Sequence, residues 1–104
     1  MNFGLRDSDL KYIVNTMKSF PEVKKAVIFG SSAKGNHKPG SDIDIAIYGE
    51  KIGFSIIARL HVQLEDESPM PYLFDIVDFT HLNHKELREH IERVGKVIYE
   101  DKLI

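Results

Sequence analysis

Two short segments of the sequence decide the fold: Ala26-Val27-Ile28-Phe29-Gly30-Ser31-Ser32, and Asp42-Ile43-Asp44-Ile45-Ala46-Ile47. The first is apolar and rich in β-forming residues, and it stops at a glycine, which is typical of a buried strand that runs into a tight turn. The second alternates in polarity with a period of two, which predicts a strand with one apolar face and one functional face. Asp42 and Asp44 therefore project from the same side of that strand.

Helical and strand patterns alternate along the rest of the chain. Apolar residues recur at spacings of three and four from Leu10 to Met17 and from Phe54 to Leu64, which predicts two amphipathic helices. The segment from Tyr72 to Phe79 is strand-like. A last helix is predicted after a pair that resembles a capping box, Asn83 and Glu86, with an apolar face made of Leu87, Ile91, Val94 and Ile98. We expect a single α/β domain that spans residues 1–104.

Size and composition bound the class of protein. With 104 residues, 42% of them hydrophobic, the chain is long enough for one folded core and too short for a second substrate-binding unit. The net charge of -2 argues against a broad basic surface, and so against direct binding of nucleic acid. The absence of cysteine excludes a thiolate zinc site and a cysteine nucleophile. Because neither a signal peptide nor a membrane-spanning apolar run is visible, we expect a cytoplasmic protein.

The Asp42 and Asp44 carboxylates repel each other unless one takes up a proton or a cation lies close to both. Hard oxygen ligands in a chain without cysteine favour Mg²⁺ or Mn²⁺ over zinc. An Asp-x-Asp pair by itself, however, also fits two aspartates that merely solvate the open face of an edge strand. The metal interpretation therefore needs a second feature to support it.

The turn at Gly30 and Ser31 supplies this second feature. A Gly-Ser turn after a buried strand presents backbone N–H groups and a hydroxyl group that can bind phosphate oxygens. Ten residues separate Ser31 from Asp42, so phosphate bound at the turn would face cations bound on the next strand. This arrangement suits in-line phosphoryl or nucleotidyl transfer, in which cations neutralise the charge of a triphosphate.

A third carboxylate, Asp75, lies between apolar residues in the middle of the next strand-like segment. We expect it to be buried and to need a partner, which makes it the candidate third ligand of a two-metal site. The alternative is a buried aspartate with a purely structural role. Asp78 lies three residues further on, so it should face the opposite way and cap the following turn.

Histidines in the second half of the chain are predicted to be structural. His81 and His84 form a His-x-x-His pair without a third ligand, so capping or solvation explains them better than a metal site. His61 and His90 are predicted to flank the core faces of their helices.

Together these residues resemble the signature of the polymerase-beta-like nucleotidyltransferases, which is a Gly-Ser turn, an Asp-x-Asp strand and an aspartate on a later strand. The chain has Gly30-Ser31, Asp42-x-Asp44 and Asp75 in that order. The longer pattern of the minimal nucleotidyltransferases is matched by Phe29-Gly30-Ser31-Ser32-Ala33-Lys34-Gly35 and Ser41-Asp42-Ile43-Asp44-Ile45, although Ser32 stands where many relatives have arginine. The resemblance implies an α+β fold in which a small mixed sheet packs against helices.

The resemblance also implies a role for each residue of the pattern. Gly30, Ser31 and Ser32 would bind the triphosphate of the substrate ATP. Asp42 and Asp44 would ligate two Mg²⁺ ions, for which Mn²⁺ can substitute. Asp75 would bind the metal ion near the acceptor hydroxyl and help to deprotonate that hydroxyl. The three aspartates are therefore the implied metal ligands and catalytic residues.

A chain of this size implies an acceptor that another protein supplies. The sequence is similar to the small stand-alone members of the family that are antitoxins of HEPN/MNT toxin-antitoxin pairs, whose partner is an all-helical HEPN protein and which transfer AMP to a tyrosine of that partner. Homo- or hetero-oligomeric assembly stays open. One alternative is a non-catalytic antitoxin that neutralises its partner by contact. Another is a nucleotidyltransferase for RNA or a small molecule that works with a separate substrate-binding subunit.

Overall fold

A computed structural model of the chain describes residues 5–30, 42–68 and 70–101. Within these residues, helices and strands alternate in the order α1 (Asp7–Lys18), β1 (Lys25–Phe29), β2 (Asp42–Tyr48), α2 (Phe54–His61), β3 (Leu73–Asp78), α3 (Lys85–Val94) and β4 (Lys96–Glu100). A short π-helical segment, Val62–Asp66, continues α2. None of the described helices has the length and apolar character that crossing a membrane requires.

The four strands form one mixed sheet in the order β3-β2-β1-β4. β1 pairs antiparallel with both β2 and β4, whereas β2 and β3 run parallel. The carboxyl end of β1 and the amino ends of the other three strands therefore lie at the same end of the sheet. This mixed sheet with its helices confirms the predicted α/β class.

The sheet separates two hydrophobic clusters, because successive side chains of a strand point to opposite faces. On one face, α1 and α2 cover the apolar side of β2, where Ile43, Ile45 and Ile47 are fully buried. Burying each of these side chains contributes roughly 1.5–3 kcal/mol. On the other face, α3 packs against the sheet through a smaller cluster that contains Val27, Phe29, Ala46, Phe79 and Ile91.

The prediction that Ile98 belongs to the last helix is wrong. α3 ends at Val94, and Ile98 lies in β4, a strand at the edge of the sheet. At Gly95 the backbone comes so close to the side chain of Val27 and to the carbonyl of Ile91 that a Cβ atom would overlap both. The backbone becomes extended at Gly95, with a φ of -69° and a ψ of 148°, so the helix ends there. The residues that follow, among them Val97, pair with β1.

The predicted capping pair at the start of α3 is also shifted by one residue. The N-cap is His84, whose Nδ1 accepts a hydrogen bond of 3.1 Å from the backbone N–H of Leu87. The prediction that capping or solvation explains His84 is confirmed for capping. His81 has a different partner, since its Nδ1 lies 2.8 Å from Oδ2 of Asp78. The backbone N–H of His81 donates a hydrogen bond of 3.4 Å to Oδ1 of Asp78, in agreement with the turn-capping role predicted for that aspartate.

Candidate active site

The first two candidate carboxylates lie on one face of β2. Asp42 is the first residue of this strand and is exposed, and Asp44 is half-buried. Ile43 and Ile45 point to the opposite face, where both are fully buried. The burial of these isoleucines fixes the alternation, because a shift of one residue would place apolar side chains in water and both carboxylates in the core.

The third candidate carboxylate, Asp75, lies beside Asp44. The two residues are Cα partners in the parallel pairing of β2 with β3, and paired strands lie about 4.8 Å apart. Asp75 is exposed, so the prediction of a buried aspartate is wrong. The reason is that β3 is an edge strand, and the flanking residues Phe74 and Ile76 point to the opposite, covered face, where they join the larger cluster.

Gly30 lies on the other side of Asp44. Its preceding residue, Phe29, is the Cα partner of Asp44 in the antiparallel pairing of β1 with β2. Gly30 has a φ of 75°, a left-handed conformation that favours glycine. A Cβ atom on this residue would overlap Oδ2 of Asp44. The turn and the carboxylate are therefore in direct contact. Ser31 and Ser32, the other candidate phosphate ligands, lie outside the described residues.

The carboxylates interact electrostatically. Burial is the main reason that the pKa of Asp44 is raised above its ordinary value of 3.8, and the neighbouring charges of Asp75 and Asp42 raise it further. His90 acts in the opposite direction and lowers this pKa. Three carboxylates thus lie close together at one end of the sheet, and their mutual repulsion destabilises the fold. A bound cation would offset this repulsion.

The raised pKa of Asp44 predicts a pH-dependent gain in stability on its replacement. For a carboxyl group with a raised folded pKa, the free energy of unfolding falls as the pH rises from the unfolded value, 3.8, through the folded value. In thermal unfolding with EDTA, we expect Asp44→Asn to raise the Tm at pH 7, and we expect this gain to shrink as the pH approaches 3.8. If the Tm of Asp44→Asn at pH 7 is equal to or below that of the parent chain, the raised pKa of Asp44 would be contradicted.

The three carboxylates are oxygen donors of the kind that Mg²⁺ takes, and they would need further ligands to enclose an ion. Across residues 5–30, 42–68 and 70–101, no three acidic or histidine side chains converge closely enough to enclose a metal ion by themselves. Mg²⁺ in phosphoryl-transfer sites is commonly held by one or two carboxylates together with substrate phosphates and water. Asp42, Asp44 and Asp75 would hold such ions, with phosphate oxygens bound at the turn as the remaining ligands.

Sequence reasoning missed His90 as a neighbour of the site. Its ring packs edge-on against Phe29, with 6.4 Å between ring centroids and an interplanar angle of 81°. The prediction that His90 flanks the core face of its helix agrees with its position next to the buried Ile91. No local pattern reveals that α3 brings this histidine to the end of β1, because that depends on how the helix crosses the sheet.

A separate cavity lies at the opposite end of the sheet. It has a volume of about 710 Å³ and is lined by Pro21, Glu22, Lys24, Gly49, Glu50, Lys51 and Thr80. These residues precede β1 or follow β2 and β3, so the cavity is remote from the three carboxylates. Its charged residues are mixed in sign and do not form a cluster of one chemistry.

Carboxylates on adjacent strands beside a glycine turn form the kind of site at which proteins carry out metal-assisted phosphoryl and nucleotidyl transfer. The chain belongs to the polymerase beta nucleotidyltransferase family, whose sequence model matches residues 11–103. No curated protein matches the chain.

Solved structures with a similar fold include chains from toxin-antitoxin complexes. A chain from the crystal structure of a toxin-antitoxin with AMP-PNP is similar with a TM-score of 0.74 and 21% identity, over 89% of this chain and 74% of that one. A chain from the toxin-antitoxin MntA-HepT has a TM-score of 0.70 and 18% identity, over 93% of this chain and 74% of that one. At these identities the similarity establishes the fold.

Proposed function

We propose that this chain is a nucleotidyltransferase that transfers AMP from ATP to a hydroxyl group of a partner protein and thereby serves as the antitoxin of a HEPN toxin. One observation carries the proposal. Asp44 lies between the Gly30 turn on β1 and Asp75 on β3. The candidate nucleotide-binding turn and an exposed carboxylate therefore flank the same candidate metal ligand.

The Gly30 side of the site is suited to the triphosphate. Gly30 has a left-handed conformation, which is common in turns that bind anions through backbone N–H groups, and it lies against Asp44. Asp42 and Asp44 would hold Mg²⁺ on the strand next to this turn. When bound, the ions supply positive charge that neutralises the phosphates and polarises the attacking and leaving oxygens.

The Asp75 side of the site is suited to the acceptor. Asp75 is exposed on an edge strand, so a hydroxyl group presented by another protein can reach it. In the proposed reaction, the acceptor oxygen forms a bond with the α-phosphorus and the bond to the β-phosphate oxygen breaks. Pyrophosphate leaves with the electron pair, and Asp75 accepts the proton of the hydroxyl group.

One comparison supports a toxin as the partner. The chain has the fold of chains crystallised within toxin-antitoxin complexes, one of them with AMP-PNP. That nucleotide analogue also supports an adenine nucleotide as the substrate. We infer an all-helical HEPN protein as the acceptor, modified on a tyrosine, with Mg²⁺ or Mn²⁺ as the cofactor.

The proposal predicts transfer of the α-phosphate label and not of the γ-phosphate label. The purified chain is incubated with a cognate HEPN protein, Mg²⁺ and ATP that carries radiolabel at either phosphate. We expect the partner to be labelled only from the α-position, because nucleotidyl transfer retains the α-phosphate and releases pyrophosphate. EDTA and the double variant Asp42→Ala/Asp44→Ala should abolish labelling. Asp78→Ala, on the opposite face of β3, should retain it.

Each other outcome assigns a different activity. Equal labelling by the double variant would show that these aspartates are not the catalytic metal ligands. Label from the γ-position would indicate a kinase. If the toxin is neutralised by a variant that lacks all three aspartates, the chain acts as a non-catalytic antitoxin. If RNA or a small molecule is labelled and the protein partner is not, the labelled molecule is the acceptor.

A further inference from the structure

We propose that His90 binds the phosphate chain of the nucleotide from the α3 side of the site. This inference rests on the proposed function, and it adds a nucleotide-binding residue that is not part of the sequence pattern. His90 lies on α3, whereas the glycine turn follows β1 and the three carboxylates lie on the strands β2 and β3.

The position of His90 is the first support. Its ring packs edge-on against Phe29, the residue that pairs with Asp44 and directly precedes Gly30. It therefore lies over the β1 side of the carboxylates, where the glycine turn is. Asp75 lies on the other side of β2. His90 thus faces the half of the site that suits the triphosphate, rather than the half that suits the acceptor.

The helix that carries His90 is firmly attached to the sheet. Ile91, the next residue, is 1% exposed and belongs to the smaller cluster. Arg88 donates hydrogen bonds from Nη1 to the carbonyls of Phe79 at 2.7 Å and Leu82 at 3.0 Å. Its guanidinium also lies 4.3 Å from the centroid of the Phe79 ring. A side chain on such a helix loses little conformational freedom when it binds a ligand.

The ring nitrogens of His90 are not engaged by any residue that the structure describes. Within the described part of the chain, neither nitrogen has a hydrogen-bond partner, and the residue is half-buried. An imidazole donates at least one N–H in either tautomer, and a phosphate oxygen is a strong acceptor for it. Through its contact with Phe29, the ring lies next to the strand position that pairs with Asp44.

Direct measurement of nucleotide binding tests the assignment. ATP is titrated by calorimetry into the full chain with Mg²⁺ present, for the parent and for His90→Ala, His90→Leu and His90→Gln. Loss of one hydrogen bond to a charged group corresponds to about a tenfold weaker affinity or more. We expect this loss for alanine and leucine and a partial recovery for glutamine, which retains a donor. Glu89→Gln, an exposed neighbour on α3, is the matched control and should bind as the parent does.

The outcomes separate this inference from the proposed function. If the parent binds ATP and the leucine variant binds equally well, the role of His90 is overturned while the proposed function stands. If glutamine and leucine weaken binding alike, His90 acts through packing on Phe29, and the phosphate contact is overturned. If the parent fails to bind ATP, the proposed function fails and this inference fails with it. Thermal unfolding of each variant shows whether it is folded. If the alanine variant is unfolded, the comparison of the leucine and glutamine variants tests the phosphate contact.

Discussion

Replacing Asp44 by asparagine is expected to lower the rate of nucleotidyl transfer on the order of 10²–10³-fold, because metal coordination supplies several kcal/mol of transition-state stabilisation. Asparagine is nearly isosteric with aspartate but carries no charge. At pH 7 without a divalent cation, the same change should stabilise the fold, since it removes the half-buried carboxylate that faces Asp42 and Asp75. We therefore expect lower activity together with a higher Tm, measured by single-turnover labelling of the partner and by thermal unfolding.

The opposite signs of these two effects make the prediction specific. If Asp44 had only a structural role, its replacement would reduce activity by destabilising the fold. The transfer rate and the Tm would then fall together. Asp78→Asn is the matched control, because Asp78 also lies in the sheet but pairs with His81 at the other end of β3. The control should keep its transfer rate. An Asp44→Asn variant with the parental rate would contradict the assignment of Asp44 as a metal ligand.

Replacing Gly30 by alanine is expected to impair stability and activity together. A non-glycine residue at a φ of 75° costs about 1–3 kcal/mol, and the new Cβ atom would overlap Oδ2 of Asp44. Relief of this overlap must shift the carboxylate or the turn, and a displacement of about 1 Å can cost 10²-fold in rate. We expect the free energy of unfolding to fall by about 1–3 kcal/mol in urea titrations, with transfer reduced by about 10²-fold at temperatures where the variant is folded.

Gly53→Ala is the matched control for this prediction. Gly53 precedes α2 with extended backbone angles, and a Cβ atom there meets nothing within 4 Å. This change should cost less than about 1 kcal/mol and leave transfer unaffected. If Gly30→Ala transferred nucleotide at the parental rate, close contact between the turn and Asp44 would not be a requirement of the site.

The sequence predicts the parts of the site that depend on local patterns. The alternation of aspartate with isoleucine in β2 specifies which face is buried, and the apolar run before Gly30 specifies where β1 ends. These signals lie within single strands, so they predict that Asp42 and Asp44 share a face. Asp75 is a candidate third ligand from the sequence, but its direct pairing with Asp44 is not predicted, because the strand order and the parallel pairing of β2 with β3 are properties of the whole sheet.

Where the sequence misleads, contacts between distant residues decide the structure. Ile98 continues the helical spacing of Leu87, Ile91 and Val94, but the backbone is extended at Gly95, where it packs closely against Val27, and the helix ends before Ile98. The exposure of Asp75 follows from the edge position of β3. His90 reaches the site only because α3 crosses the sheet towards Phe29. None of these three outcomes is encoded by residue spacing alone.

The central claim is that the nucleotide and its metal ions bind beside Asp42, Asp44 and Asp75. Crystals of the chain grown with Mn²⁺ and a non-hydrolysable ATP analogue, measured at a wavelength where manganese scatters anomalously, locate the ions directly. We predict anomalous peaks within coordination distance of Asp42 and Asp44, with the triphosphate against the Gly30 turn. A nucleotide in the cavity between Glu22, Gly49 and Thr80 at the opposite end of the sheet, without manganese at the three aspartates, would contradict the account.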